Sequence, residues 1–104
     1  MKKLLKKTEW PERLTTLSSG NRGANALLEE AGENIAENLP FRNIEYDPVG
    51  KGDDLVIALG ESDSSMRHVV QAPAEIYLNQ TSDGELTSIE ISNSAGVVSK
   101  LRFL

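Results

Sequence analysis

Glu75-Ile76-Tyr77-Leu78-Asn79-Gln80-Thr81-Ser82-Asp83-Gly84-Glu85-Leu86-Thr87-Ser88-Ile89-Glu90-Ile91-Ser92 is the stretch that decides the fold. Two runs, Glu75–Gln80 and Glu85–Ser92, alternate apolar and polar residues with a period of two, the mark of half-buried strands. Between them lies Ser82-Asp83-Gly84. Asp-Gly at the two central positions favours a type I′ turn, in which both residues need positive φ. With Asp83-Gly84 as the turn, Ser82 faces Glu85. Counting back sets Leu78 opposite Ile89 and Ile76 opposite Ile91, while Tyr77 faces Glu90 on the other surface. Apolar then meets apolar along one face, which is what fixes the register of a hairpin.

Working outward, Asn93–Gly96 is a turn into a further strand at Val97–Phe103. Upstream, Met66, His68 and Val70 alternate with Arg67, Val69 and Gln71 in a short strand. Ala72-Pro73 stops it, because proline cannot donate to a ladder. Gly60–Ser65 is small and polar and reads as a loop. From Phe41 the same period of two holds. Ile44 and Tyr46 alternate with Glu45 and Asp47, and Leu55, Ile57 and Leu59 alternate with Val56 and Ala58. Asp47–Asp54 joins these runs as a long turn-rich loop.

The N-terminal third is written differently. Thr8–Ser19 reads as a helix: Thr8 is a cap, Glu9 and Glu12 suit the positive end of the dipole, and Pro11 fits the first turn. Trp10, Leu14 and Leu17 share one face, and Trp10 is expected to anchor the core. Ala24–Leu39 is ambiguous. Its composition and the spacing of Leu27, Leu28, Ala31, Ile35 and Leu39 favour a helix. Gly32 interrupts it, and two short strands turning there are the competing reading. The expected fold is α+β, with an N-terminal helix packed on an antiparallel sheet of five to seven strands built from hairpins. Residues 8–104 form the domain, and the basic segment 1–7 is expected to fray.

The chain has 104 residues, 38% of them apolar and 26% charged, which suits one domain with a modest core. It has no cysteine and one histidine, which excludes disulfides, thiol chemistry and multi-histidine metal sites. Net charge is −5, yet Lys2, Lys3, Lys6 and Lys7 supply four of the eleven basic residues, so the remainder sets 7 bases against 16 acids. A body that acidic repels phosphate backbones, so no nucleic-acid groove is expected. Leu4-Leu5 is followed at once by Lys6-Lys7, too short an apolar run for a secretory leader, and no stretch approaches a membrane span. The expectation is a soluble cytoplasmic protein with no membrane contact and no cofactor.

Several residues together resemble a known pattern: Thr8-Glu9-Trp10, Gly32 with Leu39-Pro40, Ile44-Glu45-Tyr46-Asp47-Pro48, Asp53-Asp54-x-Val56-Ile57-Ala58-Leu59, His68-Val69-Val70, Pro73-x-Glu75-Ile76-Tyr77 and Leu86-Thr87-Ser88-Ile89-Glu90-Ile91. In this order they resemble a family of small bacterial proteins catalogued as a domain of unknown function. The resemblance runs from about Thr8 to Leu101. It implies two strands in Ala24–Leu39, where relatives carry alternating strand-like residues, and it implies no activity, cofactor or catalytic residue. Val49-Gly50-Lys51-Gly52 departs from the pattern by enlarging a loop.

Candidate chemistry is sparse. Asn79-x-Thr81-x-Asp83-Gly84 with Glu90 matches part of a calcium-loop spacing, but strands flank it and one acid is too few. Asp47, Asp53 and Asp54 with Glu45 offer clustered oxygens, though a solvated turn explains them. His68 as an acid–base group needs an orienting carboxylate and a nucleophile, for which Asp47, Glu90, Tyr77 and Ser88 are the candidates. Gly50-x-Gly52 and Ser19-Gly20-Asn21-Arg22-Gly23 lack the features of a phosphate loop. No metal site and no catalytic set is expected.

Three functions follow. The first is a non-enzymatic binding or regulatory module that uses a sheet edge, Val97–Phe103 or Met66–Val70, for a partner or a homodimer. The second is an enzyme or ligand-binding domain with a site around His68, Tyr77, Asp47 and Glu90, which requires those four to converge. The third is an antitoxin-like acidic partner of a basic protein.

Overall fold

The computed structural model describes residues 2–47, 52–61 and 66–104. Strand β1 (Lys2–Leu5) leads through a 3₁₀ turn (Lys7–Glu9) into helix α1 (Trp10–Asn21). Seven strands follow: β2 (Asn25–Glu30), β3 (Glu33–Asp47), β4 (Asp54–Leu59), β5 (Met66–Gln71), β6 (Pro73–Gln80), β7 (Leu86–Asn93) and β8 (Val98–Phe103). Their order in the sheet is β1-β6-β7-β8-β2-β3-β4-β5, every pair antiparallel. The α+β class holds, with eight strands in place of five to seven.

Two segments whose local composition disguised them, Lys2–Leu5 and Ala24–Leu39, supply strands. Lys2–Leu5, expected to fray, pairs with β6 from Lys2 opposite Asn79 to Leu5 opposite Ile76, and Leu5 is buried. Ala24–Leu39 resolves as two strands. Ala31 and Gly32 both have positive φ, 52° and 83°, between Glu30 and Glu33, the two-residue geometry of a type I′ hairpin. Helix propensity is outweighed there because β2 also pairs with β8, and Ala26 and Leu28 are fully buried. This pairing corrects the expected edge at Val97–Phe103: β8 lies inside the sheet, between β7 and β2. Met66–Val70 does lie at an edge, in β5, and β1 forms the other.

The β6–β7 register agrees with its sequence reading: Leu78 faces Ile89, Ile76 faces Ile91 and Tyr77 faces Glu90. The turn itself differs. The Gly84 N–H donates to the Thr81 carbonyl at 2.9 Å, and Gly84 has φ 88° while Asp83 stays negative, so the reversal spans three residues. That moves the pairing by one residue, to Gln80 opposite Leu86. Thr87 is the extra residue that restores it, its hydroxyl donating to the Asn79 carbonyl at 3.0 Å.

β3 is the organising strand. Its first part pairs with β2 and its second, from Phe41, with β4. One chain segment thus carries the sheet around a corner, and the inward faces close on one core. Phe41, Ile44, Leu55, Ile57 and Leu59 from one side meet Leu28, Ile76, Ile89, Ile91 and Leu101 from the other, all buried. Past Phe41, β3 has no second strand partner among the described residues. Helix α1 covers that edge instead. The Ser18 hydroxyl accepts from the Ile44 N–H at 3.0 Å and donates to the Ile44 carbonyl at 3.3 Å. Phe41 exchanges backbone bonds with Gly23 and Ala24 below it. Trp10 packs edge-on against Tyr46 at 5.0 Å and donates from its indole N–H to the Leu5 carbonyl. The helix begins two residues later than the sequence suggested, because Lys7–Glu9 forms the 3₁₀ turn and Thr8 sits inside it.

Ser18→Ala should therefore lower stability by about 1–3 kcal/mol, since it strips two backbone groups of Ile44 of their buried partner. Urea denaturation measures this; an unchanged midpoint would mean that water or a backbone shift satisfies Ile44 equally well.

Candidate functional site

The strands fix where each chemically capable side chain points, because alternate residues face opposite sides. His68 lies between Met66 and Val70 on the inward side of β5, with Arg67 and Val69 outward. Its Nε2 meets the Ser99 hydroxyl of β8 at 3.2 Å and lies 4.0 Å from the Glu30 carboxylate of β2. The His68 side chain is only 10% exposed, so this contact ties β5 to the far half of the sheet from within. Both partners sit on the same ring nitrogen. A hydrolase triad needs them on different nitrogens, and Ser99 is itself buried. The cluster is a structural clasp.

Tyr77 and Glu90 are cross-strand neighbours on the outward side of β6 and β7. Glu90 accepts from the Asn79 amide at 2.6 Å and pairs with Lys2 at 3.6 Å. The Lys2 ammonium also lies 4.5 Å from the Tyr77 ring centre. Asn79 further donates to the Ser88 hydroxyl at 2.9 Å. The Asn79 hydrogen bond, with Lys2 and Lys100 behind it, holds the Glu90 carboxyl below its ordinary value of 4.5, against a smaller opposing effect of burial. The Tyr77 phenol donates to Glu75 at 3.1 Å, and that bond and charge, with Glu90 beyond, push it above its ordinary 10.0. Asp47 is elsewhere, exposed at the end of β3 opposite Asp54. Asp53 accepts from the Tyr46 hydroxyl at 2.7 Å.

Of the four residues expected to form a site, then, Tyr77 and Glu90 are adjacent, His68 faces the other side of the sheet, and Asp47 belongs to another hairpin end. The four-residue pocket is not assembled. Glu90 is also remote from the Asp83-Gly84 turn, which dismantles the calcium-loop spacing. Gly50 and Lys51 lie outside the described residues, as do Pro48, Val49 and residues 62–65. Among the described residues no group of three or more His, Asp or Glu side chains is arranged to hold a metal ion.

One outward concavity lies over β3, β4 and β5. A groove of about 330 Å³ is lined by Arg42, Asn43, Glu45, Val56, Ala58 and Arg67. Its shape follows from a break in the period of two. Phe41 and Ile44 both point into the core, so the pairing slips between them, Phe41 facing Leu59 and Asn43 facing Ala58. The bulge turns Arg42 and Asn43 to the same outer surface. Ala58 and Val56, short side chains on the middle strand, leave the floor low between Arg42 and Asn43 on β3 and Arg67 on β5. A three-residue spacing between two apolar residues inside an alternating strand is the signal that would have found Arg42. Ser99 and Glu30 left no such signal, since they meet His68 only through the closure of the sheet.

Among the described residues no helix is long and apolar enough to cross a membrane. A family model described as a family of unknown function (DUF5335) matches residues 1–104. No curated protein and no solved structure matches the chain.

Two titrations check the electrostatics. Glu90 is depressed in the folded state, so its contribution is fully present above about pH 4.5 and is lost as pH falls through the lower folded value. Glu90→Gln should accordingly flatten the acid limb of a stability–pH profile, while an unaltered limb would contradict the network. Glu75→Gln should move the ultraviolet titration of Tyr77 down toward its ordinary 10.0; no movement would contradict the hydrogen bond.

Proposed function

The chain belongs to the DUF5335 family, and we propose that it is a cytoplasmic, non-enzymatic protein-binding module that takes up an extended segment of another protein along the edge of β5. The carrying observation is the contrast between the two end strands of the sheet, β1 and β5. An edge strand presents unpaired backbone groups and is either blunted or used. β1 carries Lys2 and Lys3, and lysine on an edge repels a further strand. The edge of β3 beyond Phe41 is sealed by α1 through Ser18. Among the described residues β5 has β4 as its one strand neighbour, and its outward Val69 is 47% exposed. Its inward side is held by the His68 clasp and the buried Val70, so the strand is presented in an extended, ordered form. Strand addition on such a ready template draws affinity from main-chain hydrogen bonds and selectivity from alternate side chains.

Peptides selected from a displayed random library for binding to the protein test this reading by hydrogen–deuterium exchange. Bound peptides should slow exchange in Met66–Gln71 and leave Lys2–Leu5 unchanged. Protection confined to any other segment would overturn the reading. So would a homodimer in sedimentation equilibrium whose dissociation exposes the β5 amides, because the edge would then belong to a second copy of this chain.

A further inference from the structure

The surface beside that edge carries uncommitted positive charge on an acidic protein. Acids outnumber lysine and arginine by 16 to 11 in the chain. Among the described residues, though, neither Arg42 nor Arg67 has an ion-pair partner; Arg102 has Glu29 and Lys2 has Glu90. Arg22 joins them at the neighbouring groove, lined with Arg42, Asn43, Pro40, Phe41 and Glu61, where its Nε–H donates to the Arg42 carbonyl at 3.4 Å. The one acid in the first groove, Glu45, accepts from Asn43 at 3.2 Å. Arg67 is exposed on β5 itself, so it stands at the boundary between the groove and the free edge.

Resting on the reading of β5 as the docking edge, we infer that the segment it takes up is acidic and carries Val-x-Glu or a close equivalent, with the glutamate opposite Arg67 and the β-branched residue opposite Val69. The register follows from the alternation of β5. Arg67, Val69 and Gln71 face outward, and an added antiparallel strand sets its own alternate residues opposite them. Read from its N-terminus, that strand meets Gln71, then Val69, then Arg67. The Val69 position wants an apolar β-branched neighbour. The Arg67 position wants a carboxylate, which its planar guanidinium receives through two parallel hydrogen bonds. Arg42 on the far wall adds field of the same sign, which favours the approach of an acidic segment to this edge. A second copy of β5 is the poorer occupant, since it offers Arg67 no acid. A basic segment meets like charge.

The probes are fluorescent peptides Ser-Thr-Val-Thr-Glu-Thr-Ser, its order-reversed form Ser-Thr-Glu-Thr-Val-Thr-Ser, and the lysine form Ser-Thr-Val-Thr-Lys-Thr-Ser, titrated into the intact protein by anisotropy. The first should bind about tenfold more tightly than the lysine form. Its advantage should shrink as salt rises, and it should slow exchange in Met66–Gln71. Arg67→Glu, a change at an exposed position, should exchange the ranking of the glutamate and lysine peptides. Lys3→Glu alters net charge equally on the opposite edge and should leave the ranking as it was. Thermal unfolding of both variants confirms that they are folded. Equal binding of the glutamate and lysine peptides, equal binding of the reversed order, or loss of ranking in Lys3→Glu as well would overturn the inference. If library-selected peptides protect β5 but lack an acid opposite Arg67, the acidic segment is wrong and the docking edge stands. If no peptide protects β5, the docking edge itself is wrong.

Discussion

Everything in this fold depends on β3 staying one strand while it changes partners. Glu33–Pro40 belongs to β2 and Phe41–Asp47 to β4, so a single backbone carries the sheet around a corner and brings its two inner faces together. A strand that changes partners abandons an edge at the corner. An unpaired buried backbone group there costs about 1–3 kcal/mol, more than an average hydrogen bond contributes. Helix α1 removes it with one hydroxyl, Ser18 meeting both polar groups of Ile44, and with the Gly23 and Ala24 backbone meeting Phe41. The helix is therefore more than a cover for apolar surface. It stands in for a missing ninth strand.

The two end strands of the sheet, β1 and β5, differ in character. β1 is short and lysine-bearing, and its outer face feeds Lys2 into the Glu90–Asn79 network. β5 is held from inside by His68 against Ser99 and by Val70 in the core, and its outer face is Arg67, Val69 and Gln71. The same bulge that lets Phe41 and Ile44 both reach the core also turns Arg42 outward beside Asn43. Core packing and surface charge are thus settled by one irregularity in the longest strand.

The sequence revealed the β6–β7 register because apolar pairs on one face leave little choice once a turn is located. It missed the turn type, and the error did not spread, because Thr87 takes up the one-residue difference. The sheet order was less legible. Ala26, Leu27, Leu28, Glu29 and Glu30 favour a helix by themselves, and only the non-local partner β8 makes them a strand. Lys2–Leu5 likewise becomes a strand only because β6 lies beside it. The resemblance to the family pattern was what favoured two strands at Gly32. Of the expected site, Tyr77 and Glu90 were legible as a cross-strand pair. Placing His68 with them was not, because which face His68 takes relative to Tyr77 depends on how the sheet closes. The partners it does have, Ser99 and Glu30, are distant in sequence and carry no motif.

Native-state amide exchange followed by NMR in the free protein tests most directly whether β3 is sealed and β5 is open. A sealed β3 requires the Ile44 amide to exchange as slowly as the Ile57 amide on β4. An open β5 requires alternate amides within Met66–Gln71 to exchange far faster than their neighbours. Uniformly slow exchange across Met66–Gln71, together with a fast Ile44 amide, would contradict both and leave the proposed binding without its edge.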